Sequence, residues 1–100
     1  MPEHAAYCPL PVVLVVENDI FERMFKAATL RRQGLEVFEA ADVAEAVTVL
    51  KNIAVDLLIS DISLIDGAVL AQLAKEHQPT TQIAWTLDRR QSYAETAVLH

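Results

Sequence analysis

A single cysteine, Cys8, stands in the 100 residues of this chain. It has no partner for an internal disulfide and belongs to no CxxC pair, so a reducing compartment is expected. Glycine and proline number only two and four, which excludes a linker-like or low-complexity chain. No Gly-rich phosphate loop exists either, which removes the P-loop and dinucleotide-binding folds. Basic residues are outnumbered, 8 against 14 acidic ones, for a formal charge of −6. Phosphate backbones need clustered cations, and Arg31-Arg32 and Arg89-Arg90 are isolated pairs, so direct contact with nucleic acid is not expected. No apolar run reaches the roughly 18 residues needed to cross a bilayer. The segment Met1–Leu10 lacks a basic start, and Pro9 and Pro11 interrupt any signal-like core, so a secretory signal is not expected. His4, His77 and His100 are isolated, and no Ser-His-Asp or Cys-His set is present. A cytoplasmic, soluble domain that is not an independent enzyme is the expectation.

What is there is apolar: 53% of the residues, ample for one small core. The pattern alternates. Val12–Val16 is β-branched throughout, as in a strand covered on both faces. Asp19-Ile20-Phe21-Glu22 has capping-box spacing and opens a helix on which Phe21, Met24, Phe25 and Ala28 recur at i, i+3, i+4 and i+7, predicting a buried stripe. Glu22 and Lys26 form an exposed i,i+4 pair on that helix, and Gly34 closes it. Glu36–Ala40 is a second strand. Asp42 caps a second helix whose inner face is Val43, Ala46, Val47 and Leu50, and Val55–Ser60 is a third strand. A loop through Asp66-Gly67 leads to a third helix carrying Val69, Leu70, Leu73 and Ala74, which Pro79 ends. Gln82–Thr86 reads as a fourth strand, and Ser92-Tyr93-Ala94-Glu95 starts a last helix running through Val98. The whole is one domain, an extension over 1–11 and four βα units over 12–100, with a parallel sheet and right-handed crossovers.

In such sheets chemistry gathers at the carboxyl edge. Two apolar strands end there in carboxylates, Glu17-Asn18-Asp19 after the first and Asp61 after the third. Side by side they make an anionic cup suited to a hard divalent cation, with one carboxylate left over as a nucleophile. Glu17 at the end of a buried strand serves no packing purpose. Asp19 serves equally as a helix cap, Asn18 as a turn residue and Asp61 as a turn cap. Thr86 ends the fourth strand and presents a hydroxyl to the same edge, or is there for its β propensity. Asp61-Ile62-Ser63 lacks the second Asp of a DxD phosphatase motif.

These residues resemble the receiver domain of bacterial two-component response regulators. The stretch VVLVVENDIFERMFKAATLRRQGLEVFEAADVAEAV is similar to that family's first two βα units, DLLISDISLIDG to the segment around its phosphoacceptor, and QIAWT to its fourth strand with the switch hydroxyl. The resemblance implies a flavodoxin-like (CheY-like) open parallel sheet of order 2-1-3-4 with helices on both faces. It implies that Asp61 accepts a phosphoryl group from a histidine kinase or phosphotransfer protein, with at most self-phosphotransfer and autodephosphorylation as activity. By the same resemblance Glu17, Asn18, Asp61 and the backbone carbonyl of Ser63 hold Mg²⁺, and Thr86 is the switch residue.

The chain departs from that family in four places. Asn18 stands where Asp is usual, which removes a charge and weakens Mg²⁺. The loop after Asp61 is two residues shorter, with Ile65 for the common Pro. Leu87 follows the Thr where a small residue is usual. The fifth strand and helix are missing, and with them the Lys that meets the phosphoryl group. Lys26, Lys51 and Lys75 lie in helices and are not expected to replace it. The fourth strand is left as an open edge with Ile83 and Trp85 poorly covered, which predicts a homodimer through that strand and the last helix. The alternative is a pseudo-receiver, the same fold kept as a phosphorylation-independent dimerisation or binding module.

Overall fold

An apolar run is stable only where both of its faces are covered, and Val12–Val16 of β1 (Val12–Glu17) occupies such a place, with every residue from Val13 to Glu17 buried. The computed structural model describes residues 9–85 and the backbone of 97–99. After β1 come α1 (Ile20–Arg32), β2 (Glu36–Ala40), α2 (Val43–Asn52), β3 (Leu57–Asp61), α3 (Leu64–His77), β4 (Gln82–Trp85) and β5 (Ala97–Leu99). The sheet runs β2-β1-β3-β4-β5, with β1 to β4 mutually parallel, which is the expected 2-1-3-4 order.

Beyond β4 the expectation fails. The last helix was to run through Val98, yet Ala97–Leu99 form a strand antiparallel to β4, pairing Ile83 with Leu99 and Trp85 with Ala97. This is not a fifth βα unit but a short return that satisfies the edge N–H and C=O groups of β4. Ile83 is only 1% exposed and Trp85 is half-buried, so the bare edge that motivated the homodimer does not exist over Ile83–Trp85. The Ser92–Glu95 capping box and Thr86 lie outside the described residues.

Strand pleating sorts the core into two faces. Leu14, Val16, Ala40 and Leu58 point to the side covered by α2 and α3, where Ala46, Leu50, Leu70, Ala71 and Ala74 meet them. Val13, Val15 and Val37 point to the other side, covered by Ala27 and Leu30 of α1. The inner face of α2 is as expected, with Ala46 and Leu50 buried and Val43 and Val47 partly so.

The inner face of α1 is not. Phe21, Met24, Phe25 and Ala28 all face solvent, Phe21 at 79% and Phe25 at 67% exposure. The stripe against the sheet is Arg23, Lys26, Ala27 and Leu30, two residues out of phase and so about 200° round the helix. Both stripes satisfy the same period, and periodicity alone does not choose between them. Ala27, fully buried against Val13 and Val15, lets the helix approach the strands closely. A phenylalanine in that line would hold it off.

Helix ends follow their caps. Asp19 Oδ1 accepts from the N–H groups of Phe21 and Glu22, and Asp42 Oδ1 accepts from that of Glu45. Gly34 takes φ +88° after α1, where Leu35 N–H reaches Leu30 C=O and Gly34 N–H reaches Arg31 C=O, the two bonds of a Schellman closure. The third helix starts earlier than expected. Ser63 Oγ accepts from Asp66 N–H, so Asp66-Gly67 lies inside α3 rather than in a loop. Ser63-Leu64-Ile65-Asp66 carries the same cap spacing in the sequence. Gly67 is buried in α3, with the Trp85 ring and Ser60 Oγ within ordinary contact of where a Cβ would stand.

Candidate functional site

The register decides the site. Glu17 and Asp61 are direct partners on the adjacent parallel strands β1 and β3, a strand spacing of about 4.8 Å apart. Following the pleat from Val13 and Val15, and from Leu57 and Ile59, both carboxylates point to the α1 side of the sheet. There they meet Lys26. Its Nζ donates to Glu17 Oε1 at 2.8 Å and to Asp61 Oδ2 at 2.6 Å. Lys26, which its place in a helix argued against as a stand-in for the family's lysine, thus reaches Asp61 directly. Lys26 belongs to the inner stripe of α1, and its position one turn before Leu30 puts the ammonium over the carboxyl edge.

The triad is largely withdrawn from solvent, with side-chain exposures of 8% for Glu17, 21% for Asp61 and 25% for Lys26. The supposed exposed pair with Glu22 is the longest of the Lys26 contacts, at 3.8 Å. Burial pulls the Lys26 pKa down, but the hydrogen bonds to Asp61 and Glu17 and the charges behind them outweigh it and hold the ammonium above its ordinary value. A second cation, Arg23, donates from Nη1 to the Glu17 carbonyl at 2.8 Å and lies 3.6 Å from Glu39, tying α1 to the ends of β1 and β2. Glu17 Oε2 accepts from Asp19 N–H at 3.1 Å. Both oxygens of Glu17 are thus engaged.

Of the residues expected at the site, Glu17 and Asp61 are brought together, Asn18 and Ser63 make other contacts, and Thr86 lies outside the described residues. Asn18 donates its amide N–H to Ala41 C=O at 2.8 Å, bracing the loop after β2. The Ser63 carbonyl accepts from Gly67 N–H at 2.8 Å as the first carbonyl of α3. Asp19 is a cap. A group of three or more His, Cys, Asp or Glu placed to hold a metal does not occur among the described residues. As they stand, the two carboxylates that could anchor a Mg²⁺ ion and its waters share an ammonium between them.

Lys26 and Arg23 are not singled out by the sequence read as an apolar pattern. The signal that finds them is the competing stripe of Arg23, Lys26, Ala27 and Leu30. It is recognised once the α1-facing strand positions Val13, Val15 and Glu17 are seen to end in an unpaired carboxylate.

The profile of the response regulator receiver domain family matches residues 13–99. Among solved structures, the receiver domain of the hybrid histidine kinase CckA is 37% identical over 74% of this chain and 72% of that one, with a TM-score of 0.69. The chemotaxis protein CheY4 of Vibrio cholerae is 27% identical over 77% of this chain and 68% of that one, with a TM-score of 0.71. A response regulator receiver protein from Pseudomonas putida shares the fold at 21% identity and a TM-score of 0.73, over 85% of this chain and 76% of that one. None of the curated proteins searched matches the chain.

Proposed function

The chain belongs to the response regulator receiver domain family, and on that premise we propose that Asp61 accepts a phosphoryl group from a histidine kinase or phosphotransfer protein. The observation that carries the reading is the pairing of Asp61 with Glu17 and Lys26 at the carboxyl edge. A carboxylate attacks an incoming phosphoryl group only if their mutual repulsion is offset. Lys26, fixed at Oδ2, supplies one positive charge there and leaves Oδ1 for attack. The new bond joins Oδ1 to phosphorus, the phosphorus–nitrogen bond of the phosphohistidine breaks, and the imidazole leaves with the electron pair and takes a proton from water. Glu17 holds Lys26 in line from the other side.

A protein donor suits the surroundings. Ile20, Phe21, Met24 and Phe25 on α1, and Leu64 and Ile65 at the start of α3, expose large apolar side chains near this edge. α1 and α3 cover opposite faces of the sheet, and an exposed apolar stripe such as that of α1 suits docking of a protein partner. Mg²⁺, which the family resemblance implies, enters this reading only in competition with Lys26. Among the described residues no helix is long and apolar enough to cross a membrane.

The test is the intact mass of the chain after incubation with phosphoramidate or with a phosphorylated phosphotransfer protein. The wild type should gain one phosphoryl group, lost on hydroxylamine treatment, and Asp61→Asn should gain none. One observation favours the second reading, a phosphorylation-independent binding module: Asp61 Oδ2 is already committed to Lys26 at 2.6 Å. Folded wild type that stays at its unmodified mass with every donor would establish that reading instead.

A further inference from the structure

We propose that Lys26 is the resident cation of this site, occupying the space between Glu17 and Asp61 that a divalent ion would need, so that Mg²⁺ enters only by displacing it. This takes the receiver site as given but needs no phosphoryl transfer. The ammonium meets one oxygen of each carboxylate, at 2.8 Å and 2.6 Å. A divalent ion binds carboxylate oxygens at about 2.1 Å, so one seated on the same pair would lie within about 4 Å of Nζ. The two cations would then crowd one pair of carboxylates, with Glu22 the next nearest at 3.8 Å from Nζ. Of the neighbouring groups, Glu17 Oε2 already accepts from Asp19 N–H, the Ser63 carbonyl accepts from Gly67 N–H, and the Asn18 side chain is tied through its NH2 to Ala41 C=O.

The displaced ammonium has somewhere to go. Lys26 is a quarter exposed, and Glu22, one turn earlier on α1, presents Oε1 at 3.8 Å with a side chain 40% exposed. A swing of the lysine tip toward Glu22 clears the cup without moving the helix. The lysine is therefore a positioning residue with two seats, and the divalent ion and the ammonium exclude each other.

The experiment titrates Mg²⁺, with no phosphodonor present, into wild type, Lys26→Met, Lys26→Arg and the double variant Lys26→Met/Asp61→Asn. Binding is read by calorimetry and by the fluorescence of Trp85, the single tryptophan of the chain. Lys26→Met should bind at least about tenfold more tightly than wild type, since removing a neighbouring positive charge strengthens a cation site. Lys26→Arg should show no such gain, and Asp61→Asn in the Lys26→Met background should abolish it. Binding by Lys26→Met that is equal to or weaker than wild type overturns the proposal, as does a gain that survives Asp61→Asn. Should Lys26→Met fail to unfold cooperatively, the ammonium resonance of Lys26 in the wild type replaces it. Saturating Mg²⁺ must shift that resonance, and a saturated site with the resonance unmoved overturns the proposal. Failure of Asp61 to gain a phosphoryl group would leave these titrations unaffected, so the two readings fail separately.

Discussion

At the scale of single residues the site is a balance of charge. Glu17 ends a buried strand and Asp61 lies directly across from it. Two adjacent carboxylates with little solvent are costly unless a cation offsets them. Lys26 is that cation, and the same contacts that offset part of the pair's charge hold its proton more firmly than usual. Because its folded pKa lies above the ordinary 10.5, its contribution to stability is complete below that pH and is lost as pH rises through the higher folded value. Urea unfolding from neutral pH to about pH 10 should therefore show a constant gap between wild type and Lys26→Met. The gap should close only in more alkaline solution. A gap that closes below the ordinary lysine range would show that the ammonium is not held by Asp61 and Glu17.

At the scale of elements the lesson is the phase of α1. An apolar stripe of Phe21, Met24, Phe25 and Ala28 looks like the inner face of a helix, yet the structure buries Ala27, half-buries Leu30 and turns the phenylalanines out. Phe25→Ser should then change the unfolding free energy by no more than about 0.5 kcal/mol, as for a surface site. Ala27→Leu, overfilling the contact with Val13 and Val15, should cost about 1–3 kcal/mol. Urea denaturation of the two variants decides between the two phases, and a larger loss from Phe25→Ser would restore the apolar stripe to the core. Strands, caps and crossovers were legible because each rests on local chemistry: β-branched runs, Asp19 and Asp42 at their caps, Gly34 at positive φ. The phase of a helix rests instead on which face fits closely against another element. That depends on residues distant in the chain.

At the scale of the molecule the sheet explains why the carboxylates could be paired from the sequence while their partner could not. Parallel order 2-1-3-4 follows from alternation and right-handed crossovers, and it puts the ends of β1 and β3 together whatever the side chains do. The antiparallel β5, by contrast, draws on no helix-strand alternation and was read as the tail of a helix. The lysine comes from a third element, so the triad exists only when β1, α1 and β3 are all docked. Such a site links the elements energetically as well as chemically, which gives the account its most direct test. A double-mutant cycle of Lys26→Met and Asp61→Asn, read as global unfolding free energies at neutral pH, should give a favourable coupling of about 1 kcal/mol or more, as for hydrogen-bonded charges mostly withdrawn from water. Strictly additive variants would contradict it, and with it the place of Lys26 in the site.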